Sequence, residues 1–373
     1  MAVSQDDMTN SWGCNLVNTM GAARRSRHQL DLAIRSSVPG WMLMAMKNSG
    51  TEANSFAIDK ATGKDMDTLL CAYGGYVGGD DDLQPYSSSE YNNSKTFALP
   101  KFPVDASEKC KRQTIVLPYF VPRSNFMINE QRSDYQHQCL AQLHKRLLRC
   151  RLAGRPVKVL LLEYILGGNG GELDPEFLVA LGILLEKFDV EVIADEVLTA
   201  GRVDKMTMTQ TMPDQFRDRV SHITVAKFPG CGIVLQRALT KPSEHVEQLR
   251  GSSTNIEPGL ACQMWDEVAA RVKQKVPSLR RQQVIDAFKL DDSRHWGKGC
   301  LMFTDLTRSE VTRGLKIDCC QSWNCALSCG KRSANEASGT QRLSQNTFMR
   351  QGASGLSKWM MLTARLCQSF TRL

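Results

Sequence analysis

Apolar positions along this chain gather into short continuous runs, separated by longer stretches in which they recur every three or four residues. Trp41 to Met46, Leu69 to Ala72, Val157 to Leu162 (broken only by Lys158), Val190 to Ala194 (with Glu191 inside it) and Ile223 to Ala226 are of strand length. A half-exposed strand alternates apolar with polar residues. These runs largely do not, so they predict strands covered on both faces, as in a mostly parallel sheet. Between the third and fourth runs, Phe177, Leu178, Leu181, Leu184 and Leu185 follow helical spacing, with Asp174 as a cap and Pro175 in the first turn. Strand, helix, strand predicts a βαβ unit. Further helices are expected just after Asn48, from Ser133 or Asp134 to about Leu152, and from Leu260 to Val272. The expected fold is α/β, a mostly parallel central sheet flanked by helices. From about Gly297 the periodicity lapses, and Ser333 to Gly355 reads as a long loop or disordered insert.

Three of the strand runs end in ionisable residues: Glu163, then Asp195 with Glu196, then Lys227. Ligands in open α/β sheets sit at the carboxyl ends of strands, so three such ends point to one site. Charges also end strands simply because chains must reach water, and position alone does not separate the two readings.

Composition narrows the class. The chain has 373 residues, 42% hydrophobic and 23% charged, enough to bury a large core. It has no apolar run of the roughly 18 residues a membrane helix needs. Thirteen cysteines in a chain of this size fit free thiols in a reducing compartment, hence a cytoplasmic location. Arg24, Arg25, Arg27 and Arg35 resemble an organellar leader, but Asp6, Asp7 and Asp31 oppose that reading. The net charge of +8 suits an anionic ligand. The densest basic stretch, Lys145 to Arg155, interleaves with Leu143, Leu147, Leu148 and Leu152 and reads as the wet face of an amphipathic helix, so nucleic acid is not expected. Cys319, Cys320, Cys325 and Cys329 lack the paired spacing of zinc ligands, and no metal is expected.

Asn48-Ser49-Gly50-Thr51-Glu52-Ala53-Asn54 lies between a strand and a helix. Gly50 lets the backbone approach a ligand, Ser49 and Thr51 offer hydroxyls, and the free N–H groups of the helix start favour a phosphate dianion. Such a turn is also an ordinary N-cap. Lys227 precedes Gly230 and Gly232, and Tyr73 precedes Gly74-Gly75.

Taken in order, these segments resemble the class III aminotransferases, fold-type I enzymes that use pyridoxal 5'-phosphate (PLP). The 48–54 segment is similar to that family's phosphate loop, Tyr73-Gly74-Gly75 to its Tyr-His-Gly element, Ile193-Ala194-Asp195-Glu196-Val197 to its Asp-Glu-Val motif, and Lys227-Phe228-Pro229-Gly230-Cys231-Gly232 to its imine lysine and glycines. Ser253-Thr254 resembles the segment that reaches the neighbouring subunit's phosphate. The resemblance implies a PLP-dependent transaminase with Lys227 as the imine-forming lysine and Asp195 paired with the pyridinium nitrogen. It further implies Ser49, Gly50 and Thr51 at the phosphate, Tyr73 stacked on the ring, and Thr254 contributed by the partner of a homodimer. Glu163 and Glu196 are further candidates, each with a structural alternative: Glu163 as architecture, Glu196 as a salt bridge. Residues 1–40 are then a short N-terminal segment, 41–262 a PLP-binding large domain, and 263–373 a smaller, partly degenerate α+β region. Leu166 stands where many members offer an amide to the cofactor's phenolic oxygen. A degenerate relative acting as a binding subunit, and sister PLP reactions such as decarboxylation or intramolecular amino transfer, remain as alternative readings.

Overall fold

The computed structural model describes residues 16–79, 83, 114–120, 129–167, 170–238, 258–288 and 295–304. Thr254, the cysteines at 319–329 and the stretch 333–355 lie outside the described residues. Seven strands form one sheet: β1 (Trp41–Lys47), β2 (Leu69–Ala72), β3 (Thr114–Ile115), β4 (Val159–Glu163), β5 (Glu191–Asp195), β6 (Val220–Val225) and β7 (Gly232–Arg237). Their spatial order is β1-β7-β6-β5-β4-β2-β3. Neighbours from β3 to β6 run parallel, and β7 is antiparallel to both β6 and β1. The expected parallel βαβ unit is present as β4, α4 (Pro175–Phe188) and β5, with Asp174 accepting from the Glu176 N–H as its cap.

The continuous apolar runs are explained by what covers each face. On β4, Val159 and Leu161 belong to one buried cluster, together with Ile193 of β5 and with Ala53, Ala57 and Ile58 of α2 (Gly50–Thr62). Leu160 and Leu162 belong to the other. That second layer takes in α1 (Leu16–Ser37), α3 (Asn129–Leu152), α4 and α6 (Pro258–Lys273), with Leu30, Ile34, Leu143, Leu147, Phe177 and Trp265 packed inward. Fully burying one such side chain contributes roughly 1.5–3 kcal/mol, so neither face can be left to water.

α1 has no counterpart among the expected helices. Leu30, Ile34 and Val38 recur every four residues and are buried, but charged residues surround them. Asp31 explains its docking: one carboxylate oxygen accepts from the Leu43 N–H of β1 at 2.7 Å, and the other pairs with Arg35 at 2.7 Å. The outermost strand is thereby covered, which blunts edge pairing. α6 runs unbroken across residue 262, the boundary expected for the large domain, and its Trp265 donates to Ser37 at the end of α1. The remaining described α-helices and strands are a four-residue helix, α5 (Asp214–Arg217), then α7 (Val276–Phe288) and the short antiparallel pair β8 (His295–Trp296) and β9 (Phe303–Thr304). Among the described residues no helix is long and apolar enough to cross a membrane.

Candidate active site

The parity that buries Val159, Leu161 and Ile193 under α2 carries the next residues of the same faces there too. Glu163 is the register partner of Asp195, and Asp195 that of Thr224. Three adjacent parallel strands thus end in one row, Glu163–Asp195–Thr224, and Lys227 follows three residues after the last of these. The three charged strand ends singled out in the sequence are neighbours in space.

A cavity of about 350 Å³ opens at this end of the sheet. Ser49, Gly50 and Thr51 line it from α2, Glu163 and Asp195 from the strand ends, and Lys227 from the β6–β7 turn. Glu196 and Tyr73 are not among its lining residues; Tyr76 is. Tyr73 packs partly buried against the larger core cluster. Leu166 is also absent from the lining and is buried where a side chain on Gly74 would meet it. A second cavity of about 1070 Å³ lies between α1, α4, α6 and the 203–213 segment, and it contains none of the candidate residues.

The cradle is built by close backbone approach. Ser49 caps α2 by accepting from the Glu52 N–H at 3.2 Å, and its carbonyl takes the Ala53 N–H at 3.0 Å. The Gly50 and Thr51 N–H groups then remain without a partner among the described residues, at the positive end of the helix dipole. A Cβ on Gly50 would lie 2.8 Å from Val197 and 3.3 Å from Ala226, so the helix start is wedged between the residues that follow Asp195 and precede Lys227. A Cβ on Gly232 would lie 2.1 Å from the Ser49 carbonyl oxygen, which makes glycine obligatory there.

Lys227 adopts φ 73°, a left-handed conformation rare for a side chain of its size. The turn is closed by hydrogen bonds from Phe228 N–H to Ala226 O (3.0 Å) and from Gly230 N–H to Lys227 O (3.2 Å). Phe228 is anchored on Trp265, with ring centroids 5.4 Å apart. Sparsely populated backbone held in place by its surroundings is a frequent property of functional residues. Lys227 is partly open to solvent. Desolvation by the surrounding protein nevertheless lowers its pKa, and Arg202 lowers it further, against the opposing pull of Asp195 and Glu163.

The two carboxyls are buried, Glu163 at 7% and Asp195 at 3% exposure. Desolvation pushes Asp195 up to about 6, opposed by hydrogen bonds from Val197 N–H and Asn54. Glu163 is pushed up to about 8, first by desolvation and then by Asp195, although Tyr76 N–H (2.8 Å) and Gly167 N–H (3.3 Å) donate to it. Both shifts point the same way, toward protonation, and Glu163 goes further because Asp195 stands beside it. Glu196 has a different setting. It is fully buried and accepts from Thr199 Oγ1 (3.1 Å), Met208 N–H (2.6 Å), Thr209 N–H (2.9 Å) and Thr209 Oγ1 (2.7 Å). The salt bridge considered for it in the sequence is replaced by neutral donors.

Asn54 was given no separate role by the sequence. It is 2% exposed, lines the cavity, and donates to Asp195 Oδ2 at 2.7 Å. Its signal was there: an amide within the buried stripe Ala53, Ala57, Ile58 of a helix. Among the described residues no group of His, Cys, Asp or Glu could hold a metal ion, and the six described cysteines are free.

No family model matches the chain. Part of it is 29% identical over 184 residues to the glutamate-1-semialdehyde 2,1-aminomutase of Dichelobacter nodosus, a match that covers 49% of this chain and 38% of that enzyme. The match therefore spans less than half of that relative's length. Among solved structures, a phospholyase from Arthrobacter in complex with phosphoethanolamine superposes with a TM-score of 0.57 at 16% identity, covering 78% of this chain and 68% of that one. The lysine aminotransferase from M. tuberculosis in its internal aldimine form gives 0.54 at 15% identity, covering 80% and 70%. These likenesses establish the fold: a mixed seven-stranded sheet of the fold-type I architecture.

Proposed function

We propose that this chain, which has the fold of those aminotransferases, is a class III-type PLP-dependent transaminase that moves an amino group from an amine or amino acid to a keto acid or aldehyde. The single observation that carries the reading is the convergence of Asp195, Lys227 and the Ser49–Thr51 helix start on one cavity.

The residues present fit the cofactor. The Gly50 and Thr51 N–H groups with the Ser49 and Thr51 hydroxyls form a donor set for a phosphate dianion. Asp195 is a buried carboxylate suited to a protonated ring nitrogen. Lys227 is a lysine whose ammonium is destabilised, as an amine nucleophile requires. Bound PLP supplies an electron sink for the carbon that carries the substrate's amino group.

The other tasks belong to the protein. Asp195 keeps a proton on the ring nitrogen by charge and hydrogen bonding. Lys227 Nζ, which lines the cavity and has a destabilised ammonium, would bind the cofactor and would accept and return a proton at the substrate carbon. Arg202 favours its neutral form. Glu163 holds the backbone of Tyr76 and Gly167 at the cavity wall. Tyr73 is kept as the stacking ring on the strength of its motif; Tyr76, which lines the cavity, is the competing candidate. Glu196 acts as architecture. The motif resemblance also supports a homodimer in which each subunit lends Thr254 to its neighbour's phosphate, and the cysteine content supports a reducing, cytoplasmic location.

The purified chain reconstituted with PLP is expected to show a visible absorbance band that borohydride removes, leaving the cofactor covalently on Lys227 by peptide mass. A colourless protein after reconstitution would sink the proposal. The sequence relative favours a second reading, intramolecular amino transfer. Product analysis with an isotopically labelled amino group separates the two, since an aminomutase keeps the nitrogen within one substrate skeleton.

A further inference from the structure

We infer that Asn54 is the positioning residue of the Asp195 carboxylate, with its orientation set by the Val77 carbonyl and its far end held by the Thr224 hydroxyl. This rests on the reading of Asp195 as the ring-nitrogen partner.

The geometry leaves little freedom. Asn54 Nδ2 donates to Asp195 Oδ2 at 2.7 Å and to the Val77 carbonyl at 2.6 Å. Its Oδ1 accepts from Thr224 Oγ1 at 2.7 Å. Flipping the amide would set an oxygen against a carboxylate and a carbonyl, two acceptors with no proton between them, whereas the Thr224 hydroxyl could accept as well as donate. All the groups involved are buried, so a mismatched donor or acceptor would be costly. The orientation is therefore decided by the neighbours and not by the amide itself.

The arrangement fixes what Asp195 presents to the cavity. Oδ1 receives the Val197 N–H at 3.0 Å, and Oδ2 receives Asn54. Both donors favour the charged carboxylate against the burial that disfavours it, and together they set the plane of the group. Thr224 is suited to hold the far end because it is the strand-register partner of Asp195, pointing to the same face of the sheet. The three residues come from α2, β5 and β6, so the carboxylate is referenced to three elements at once. An aspartate at 54 would replace the donor by a like charge. A glutamine would overshoot the Thr224 hydroxyl by one carbon.

The test compares Asn54→Ala, Thr224→Val, Thr224→Ser and Asp195→Asn in the full chain, measuring PLP affinity, the pH dependence of the visible band, and circular dichroism of the cofactor-free protein. Asp195→Asn is expected to give the largest loss of affinity. Asn54→Ala should weaken PLP binding about tenfold, the worth of a hydrogen bond to a charged group, and should move the acid limb of the band upward by about one pH unit. Thr224→Val keeps the β-branched shape and leaves Asp195 both of its donors, yet should weaken binding about threefold, and Thr224→Ser should restore it. If Asp195→Asn binds PLP as the parent does, the assignment of Asp195 itself fails. If Asp195→Asn loses affinity while Asn54→Ala and Thr224→Val keep the parent's affinity and pH profile, the inference about Asn54 is overturned and the assignment of Asp195 survives. Should Asn54→Ala not fold, the two Thr224 variants decide: a valine equal to serine and parent overturns the inference.

Discussion

Asp195 and Glu196 are consecutive, both carboxylic, both buried, and the two faces of the sheet use them in opposite ways. On the α2 face Asp195 has two donors and an open cavity before it. On the other face Glu196 has four donors on its two oxygens and no route to solvent. Thr209 gives its only proton to Glu196, so the Tyr164 hydroxyl must donate to Thr209 in turn, and the network closes without a cation. A buried carboxylate that is completely satisfied holds a loop; one left short of partners keeps capacity for a ligand. Burial and residue type do not distinguish the two, and the count of donors does.

This contrast can be broken from either side. The largest effect is expected at Lys227, on the cavity face: Lys227→Ala should lower turnover by about ten-thousandfold while the far-ultraviolet circular dichroism stays unchanged, as steady-state and single-turnover assays would register. On the opposite face, Glu196→Ala should cost about 4 kcal/mol in urea unfolding, because it strands two backbone N–H groups and two hydroxyls in a dry interior. Whatever fraction stays folded should still take up PLP. A Glu196→Ala protein that melts like the parent but no longer binds cofactor would reverse the two roles. Gly50→Ala comes next. Its methyl has nowhere to go between Val197 and Ala226, so about 2 kcal/mol of stability and a measurable part of the phosphate affinity should be lost.

A further effect is a pH dependence of the cofactor-free protein. Glu163 is held protonated in the folded state up to about 8, whereas its ordinary value is 4.5. Between these limits the folded state keeps a proton that the unfolded chain has released. Stability is therefore greatest at the acid end of this window, falls as pH rises through it, and levels off above the folded pKa. Melting temperatures recorded across the window should decline by several degrees, and Glu163→Gln should flatten the slope. Asp195 adds in the same direction over a narrower range. A profile that rises with pH would mean that the two carboxyls are not held as described.

Much of this site was legible before the fold was known, for reasons that are local. Strand ends announce themselves by a change from apolar to charged residues, and the Asp174 cap and the α2 start are set by neighbours within four residues. What escaped depends on distance. α1 is pinned by a bond from Asp31 to the backbone of Leu43 and by a tryptophan far along the chain, neither visible as periodicity in a segment rich in charge. β7 turns back antiparallel after the Lys227 turn, and its Gly-Ile-Val-Leu stretch carries no mark of direction. Tyr73 and Tyr76 are three residues apart in a glycine-rich turn, and spacing could not say which ring reaches the cavity. Asn54 was readable as a polar residue in an apolar stripe, but its partners lie on strands β5 and β6.

The pairing of β1 with β7 has a consequence for how the chain is made. Among the described residues, Trp41 to Lys47 pair within the sheet only with residues 232–237. At ordinary translation speeds the ribosome needs roughly 10–40 s to reach them. Throughout that interval the nascent chain holds an early strand reading Trp-Met-Leu-Met-Ala-Met whose sheet partner does not yet exist. α1, made just before it, is available as a shelter through the bond from Leu43 to Asp31, and α2, made just after, covers Met44 and Ala45. α1 thus serves as an internal escort for β1, and co-translational chaperones would find residues 41–47 a persistent target among the described strands.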